Sequence, residues 1–237
     1  MGSTSPNIIL YTNHGCPWAH RAHIALAELG LPFQEEIIDL STPRTPEYLK
    51  INPRGLVPSI SYNGNIITES AIVSQFLVDA HPSHLEKKSD EEGGALQRAR
   101  INFFVDAYFS KVSSHFYPIL RAQGEEKEAE AQKYVDAVVK ELEPLLQDAN
   151  PFFGGSSKLT LAEVLTGSFL LRVLTHPKYP ELNLIPKSFL TNLESKAPAF
   201  YKWANAVIQE KSVTYIWDEK AVAERTAARI QKAAAAK

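Results

Sequence analysis

Asn7-Ile8-Ile9-Leu10-Tyr11-Thr12-Asn13-His14-Gly15-Cys16-Pro17-Trp18-Ala19-His20-Arg21 is the stretch on which the reading of the fold turns. Asn7 to Tyr11 is a short apolar run of the kind that forms a buried strand. Pro17 to Leu29 carries a helical pattern that Gly30 stops. A proline suits the first helical position, where its missing N–H would have had no partner anyway. Cys16 then falls at the N-cap, facing unpaired backbone N–H groups and the positive end of the helix dipole. That setting favours a thiolate and lowers the thiol pKa. Cys16 is the only cysteine of the 237 residues, so an internal disulfide and a cysteine metal cage are both excluded. Cys16-Pro17-Trp18-Ala19 is a one-thiol relative of the Cys-x-x-Cys redox pattern, and any mixed disulfide on it must be resolved by an external thiol. The alternative is an inert, buried structural thiol.

Working outward, Phe33 to Asp39 reads as a second strand. Val57 to Tyr62 and Asn65 to Thr68 read as two more, joined by the hairpin signal Asn63-Gly64. Glu69 to Ala80 has apolar residues at helical spacing. The order is β-α-β, a variable connection, then β-β-α. His81 to Gly94 is polar, with Pro82 and an acidic run, and reads as a linker. Everything beyond is helical in pattern: Ala95 to Phe116, Glu125 to Gln147, Leu161 to Leu174, Pro186 to Ser195, Pro198 to Glu210, and a charged, alanine-rich helix from Trp217 to the end that is expected to fray. Leu161 to Leu174 is apolar nearly all round and should be buried, with Thr160 and Glu163 spaced as a capping box. The expectation is an α/β unit over 1–82, a linker over 83–94 and an all-α unit over 95–237.

Composition bounds the function. The chain is 44% hydrophobic and 22% charged with a net charge of -2, which offers no basic footprint for nucleic acid. No run of about 18 apolar residues exists to span a membrane. Met1 to Pro6 lacks the layout of a secretion signal, so the cytoplasm is the expected location.

Two further motifs carry chemistry. In Asn52-Pro53-Arg54-Gly55-Leu56-Val57-Pro58, a cis Pro58 would leave the Val57 backbone free to pair with an extended, peptide-like ligand; a plain turn before a strand is the other reading. In Thr68-Glu69-Ser70-Ala71-Ile72, Ser70 and the N–H groups after it suit a carboxylate, and Glu69 suits an ammonium group; an ordinary helix cap is the other reading. His20 and His23 read as helix-surface residues.

Taken in order, Cys-Pro-Trp-Ala, Asn-Pro-x-Gly-x-Val-Pro, Glu-Ser and Ser156 to Glu163 (Ser-x-x-Leu-Thr-Leu-Ala-Glu, allowing one extra residue) resemble the cytosolic glutathione transferase superfamily over nearly the whole chain. The cysteine, and Cys-Pro-Trp-Ala-His-Arg with it, resembles the omega-like and glutathionyl-hydroquinone reductase-like branches. The resemblance implies a thioredoxin-like N-terminal domain followed by an all-helical bundle domain. It implies that Cys16 forms a mixed disulfide with glutathione, the co-substrate, with no metal. Trp18, Arg44, Val57, Pro58, Glu69 and Ser70 would be the glutathione-binding residues: Val57 and cis Pro58 at the cysteinyl part, Glu69 and Ser70 at the γ-glutamyl end, Arg44 at the glycyl carboxylate. Trp18 would also border a second-substrate site for a hydrophobic or electrophilic small molecule. Phe104, Tyr108, Phe116, Tyr117 and Trp217 are candidates for the rest of that site, with Tyr108 and Trp217 preferred. A homodimer is implied. Thiol transfer or reduction is the leading activity; conjugation of electrophiles and a non-catalytic binding or scaffold role are the alternatives.

Overall fold

The computed structural model describes residues 6–235. Of the segment Met1 to Pro6 only Pro6 therefore falls among the described residues, and the last helix is followed to Ala235. Strand β1 (Ile8–Thr12) pairs in parallel with β2 (Gln34–Ile37) and antiparallel with β3 (Ser59–Tyr62). β3 turns through Asn63-Gly64 into β4 (Asn65–Thr68), giving the sheet order β2-β1-β3-β4. Both turn residues have positive φ, 49° and 84°, which a two-residue hairpin needs to match the twist of its strands.

Alternation along β1 sends its side chains to two faces. Ile8 and Leu10 join Ile60 in the main core with residues of α1 (Pro17–Glu28) and α3 (Ser70–Ala80). Ile9 and Tyr11 pack on Tyr48 and Ile51 of α2 (Pro46–Ile51), which covers the opposite face. At six residues this helix is too short to show an apolar stripe. Thr45 caps it by accepting the Tyr48 N–H, Pro46 opens it, and buried Tyr48 holds it to the sheet. The result is the thioredoxin-like N-terminal unit.

The second unit is helical: α4 (Gly94–Ala107), α5 (Phe116–Arg121), α6 (Gly124–Glu141), α7 (Leu161–Thr175), α8 (Ser188–Lys196), α9 (Pro198–Val207), α10 (Lys211–Thr214) and α11 (Glu219–Ala235). Two expectations need correction. The single helix expected from Ala95 to Phe116 is broken by a π-helical turn at Tyr108–Val112 and a 3₁₀ turn at Ser113–His115. Tyr108 and Val112, the ends of the π turn, are buried, and its extra residue rotates the chain beyond it about the helix axis, where Tyr117 is exposed. The helix expected from Glu125 to Gln147 stops at Glu141, and Pro144 sits in a 3₁₀ turn at Glu143–Leu146 because it cannot donate to a continuing helix. The stretch read as a linker is anchored: Leu85 is fully buried and its carbonyl accepts the Leu161 N–H at 2.9 Å, while buried Glu86 pairs with Arg98 at 2.7 Å. No helix among the described residues is long and apolar enough to cross a membrane.

α7 runs through the middle of the helical unit with almost every residue buried, and α1 packs against it. The Thr160–Glu163 capping box is present, and the carboxylate also reaches beyond it. Glu163 accepts from Thr160 N–H and Oγ1 at 2.7 Å each, from Phe153 N–H at 2.8 Å and from Trp203 Nε1 at 2.6 Å. Burial pushes its pKa up, and these donors oppose that shift. Glu163→Ala would strand four buried donors, so it is expected to destabilise the protein by about 3 kcal/mol. Urea unfolding should show the loss as a lower midpoint with an unchanged slope; a variant as stable as the parent would show that the network is dispensable.

Candidate functional site

Cys16 is the N-cap of α1, with extended backbone, half-buried and with a free thiol. The turn that presents it is built by Asn13, whose carbonyl accepts the Cys16 N–H at 2.9 Å. The Asn13 side chain accepts the Gly15 N–H at 3.0 Å and donates to the Ile38 carbonyl at 3.0 Å. From the other side, α7 of the helical unit holds the carbonyls that flank the cysteine. Arg172 donates to Gly15 O at 3.0 Å and Ser168 Oγ donates to Pro17 O at 2.8 Å. A second Arg172 nitrogen donates to Ser168 O at 2.6 Å, and the guanidinium lies 4.9 Å from the Trp217 ring centre. Burial pulls the Arg172 pKa down to about 10, opposed by the charge of Cys16, so the group remains cationic at neutral pH beside the sulfur.

One cleft of about 510 Å³ collects Cys16, Trp18, Arg44, Val57, Pro58, Glu69 and Ser70 in its lining. The Val57–Pro58 bond is cis. Leu56 O, just before it, accepts from Tyr48 Oη at 2.6 Å and Asn52 Nδ2 at 2.9 Å. The Val57 N–H and C=O have no protein partner among the described residues, as pairing with an extended ligand requires. Gly55 holds φ +64°, and a Cβ there would come within 3.0 Å of Arg44 Cγ. Glu69 is held at φ 69°, a rare conformation for a residue with a side chain and the kind of strain that accumulates at binding sites. Its carboxylate meets Arg54 at 2.6 Å, both side chains being exposed, and Ser70 Oγ accepts from Arg21 at 3.0 Å.

Arg44 is at the cleft, but Nε and one terminal nitrogen are engaged by the carbonyls of Gly55, Asp39 and Thr42, so it braces the loop. Arg21, Arg54, Ser168 and Arg172 were not singled out from sequence. Arg21 and Arg54 lie inside the quoted motifs. Arg172 had a usable signal, a charge in the middle of an otherwise apolar helix.

A second cleft of about 700 Å³ opens on the far side of Cys16 and Trp18, between the Asp39–Ser41 loop, the end of α7 and α11. Its aromatic lining is Phe116 and Tyr117, with Trp18 shared between the clefts. Tyr108 is only 1% exposed and sits in a recess of about 50 Å³ behind Trp18 and Phe169; it is a core residue, whose hydroxyl pKa burial raises. Trp217 lies behind Arg172 and stacks on His20 at 6.5 Å. Phe104 is buried against Phe153 and Trp203.

His20 and His23 are buried, which corrects their reading as surface residues. They fall on the side of α1 that faces β1 and α10, where His23 is hydrogen-bonded to Thr12 Oγ1 at 2.9 Å and Tyr215 Oη at 2.8 Å. Burial and then His14 push the His23 pKa down to about 3, and burial and then Arg172 hold His20 well below its ordinary value. His14, His23 and Glu35 bring their ligating atoms within 4.8 Å of one another. The 2.6 Å His14–Glu35 contact and the two filled nitrogens of His23 make this a hydrogen-bonded cluster.

The model of the family described as "Glutathione S-transferase, N-terminal domain" matches residues 15–80, which hold Cys16, Val57, Pro58, Glu69 and Ser70. Glutathione S-transferase omega-1 of Mus musculus is 28% identical over 168 residues, 70% of this chain and 67% of that protein. Glutathione S-transferase U22 of Arabidopsis thaliana is 30% identical over 163 residues, 68% of this chain and 72% of that protein. The chain belongs to the glutathione S-transferase family. Its fold is also that of rice GST1, solved in complex with glutathione, at a TM-score of 0.80 and 24% identity over 97% of this chain and 99% of that one. In this glutathione transferase the two clefts therefore meet at one sulfur, Cys16.

The buried histidines set an acid limit. The unfolded chain takes up their protons near pH 6.5, whereas folded His23 and His176 resist to about 3, both chiefly through burial. The unfolded state thus binds more protons in that window, and stability falls as pH drops through it, on the order of 1.4 kcal/mol per pH unit for each histidine. The buried carboxyls of Glu86 and Glu163, with raised pKa values, act in the opposite sense and reduce the net slope. Urea titrations at pH 7, 6 and 5 should show a declining midpoint; a flat response would contradict the neutral burial of His20, His23 and His176.

Proposed function

We propose that this glutathione transferase is a thiol transferase and reductase in which Cys16 forms a mixed disulfide with glutathione. The observation that carries the reading is the position of Cys16: the chain's only thiol, at a helix N-cap beside a buried arginine, where the two clefts meet. The similarity to the mouse omega-1 protein supports it.

In this reading the γ-glutamyl ammonium group pairs with Glu69 and its carboxylate meets Ser70 and the first N–H groups of α3. The cysteinyl backbone pairs with Val57, and the peptide sulfur is directed at Cys16. Arg54 orients Glu69 through their 2.6 Å contact. The Cys16 thiolate attacks the glutathione sulfur of a disulfide or thioether adduct, the new S–S bond forms, and the former partner leaves with the electron pair and takes a proton. A second glutathione thiolate then attacks the mixed disulfide, releasing glutathione disulfide and restoring Cys16. Arg172 stabilises the sulfur's negative charge at the start and end of the cycle. A reducing cytoplasm is the compartment this chemistry needs. The reading includes a homodimer, for which exposed Ile72, Leu96 and Phe103 on α3 and α4 offer apolar surface.

Cys16→Ser is expected to abolish disulfide exchange while glutathione affinity changes by less than about threefold, because Val57, Glu69 and Ser70 are untouched. Exposure to glutathione disulfide followed by intact-mass measurement should show one glutathionyl group on the parent and none on the variant. Exchange that persists in the variant would make Cys16 structural. High aryl-halide conjugation in the parent that is lost with exchange would assign the thiol to conjugation instead. Glu69→Ala is expected to weaken glutathione binding by about tenfold or more in calorimetry; unchanged affinity would put the tripeptide elsewhere.

A further inference from the structure

The second cleft carries three cations on α11 that the proposed chemistry does not use. On α11, Arg225, Arg229 and Lys232 recur at helical spacing and line one wall, and Arg172 lines the floor. Among the described residues none of these four cations has a carboxylate within ion-pair distance. The acids of α11 are paired with other lysines, Glu219 with Lys178 at 3.3 Å and Glu224 with Lys220 at 3.9 Å. The one acid in the lining is Asp39, whose carboxylate accepts from Ser41 N–H and from the Ser41 and Thr42 hydroxyls. His176 lies at the inner end, 1% exposed, with both ring nitrogens lacking a hydrogen-bond partner. Phe116, Tyr117 and Trp18 supply flat apolar surface between the charges, and Arg229 lies 5.7 Å from the Tyr117 ring centre. In a chain of net charge -2, three exposed cations without a carboxylate partner among the described residues and a partnerless imidazole on one aromatic-lined cleft describe a site for an anion with a planar body.

We propose that the second cleft selects planar aromatic compounds bearing a carboxylate, presented to Cys16 as their glutathione thioethers. The inference rests on the reading of Cys16 as the thiol that removes glutathione from an adduct. With a phenacyl thioether, the Cys16 thiolate attacks the glutathione sulfur and the S–S bond forms. The C–S bond breaks with its electron pair passing to the phenacyl carbon, which is reduced as the sulfur is oxidised. The enolate so formed takes a proton from water, and a second glutathione releases glutathione disulfide. The cations hold the carboxylate of the aromatic part, and exposed Arg225 and Arg229 set the preference for it.

The test uses the full-length protein and two adducts, S-phenacylglutathione and its para-carboxylate analogue. The parent is expected to show kcat/KM about tenfold or more higher for the carboxylate. The ratio should shrink toward one as salt is raised, since exposed charges are screened. In the Arg225→Gln, Arg229→Gln double variant the ratio should fall close to one, and in the Arg225→Glu, Arg229→Glu variant it should invert. Because the ratio is taken within one preparation, partial loss of folded protein cancels. A parent ratio near one, with both adducts turned over, overturns the proposal and leaves the role of Cys16 standing. A ratio that survives in the variants while the KM for free glutathione rises assigns the cations to the incoming second glutathione and also overturns it. If neither adduct reacts and no glutathionyl group appears on Cys16, the reading beneath it falls as well.

Discussion

The buried guanidinium of Arg21 ties the two units of this protein together beside the cleft. It leaves α1 of the N-terminal unit and donates to the Leu165 carbonyl of α7 at 2.8 Å and to Ser70 Oγ at 3.0 Å. Its charge faces aromatic rings, with the Phe109, Trp18 and Phe169 centres 4.3, 4.6 and 5.2 Å away. At 3% exposure it has no carboxylate partner among the described residues. Burial lowers its pKa only to about 9, so it stays charged at neutral pH. A desolvated cation is tolerable only where fixed dipoles and π faces replace water. That requirement locks the rotation of α1 against α7 and α3, and with it the relation of Trp18, Ser70 and the Cys16 turn.

The same logic repeats further along α7. Arg172 and Ser168 reach back to the carbonyls on either side of Cys16, so the helical unit aims the thiol that the N-terminal unit carries. Cys16 sits at the positive end of the α1 dipole, and buried Arg172 adds a full charge beside it. Neither unit alone would present this sulfur in this way. Glu69 shows the complementary case, a residue held in an unfavourable backbone conformation because the strand–helix junction and its partner Arg54 over-determine it.

Charge in the chain is close to balanced overall but unevenly arranged. In the first cleft the one acid, Glu69 at the N-cap of α3, is paired with Arg54, whereas the wall made by α11 presents cations that have no carboxylate partner among the described residues.

The sequence by itself determined whatever depends on neighbours a few residues apart. Pro17 after Cys16 and Gly30 after Leu29 delimit α1, Asn63-Gly64 makes the hairpin, and Thr160 with Glu163 caps α7; each rests on contacts within about one helical turn or one tight turn. The motif order was legible for the same reason, and the residues it named around Cys16 line one cleft. Only the tertiary structure decided what joins distant segments. Arg172 meets Gly15 across 157 positions and Ser168 meets Pro17 across 151. A helix apolar all round, such as α7, has no stripe to reveal which face meets α1. The π turn that opens at buried Tyr108 likewise shifts the residues after it, so Tyr117 lines the cleft, an outcome that aromatic spacing could not indicate. Burial of His20 and His23 follows from the packing of α10, far along the chain, against a face of α1 that the sequence reading places at the surface.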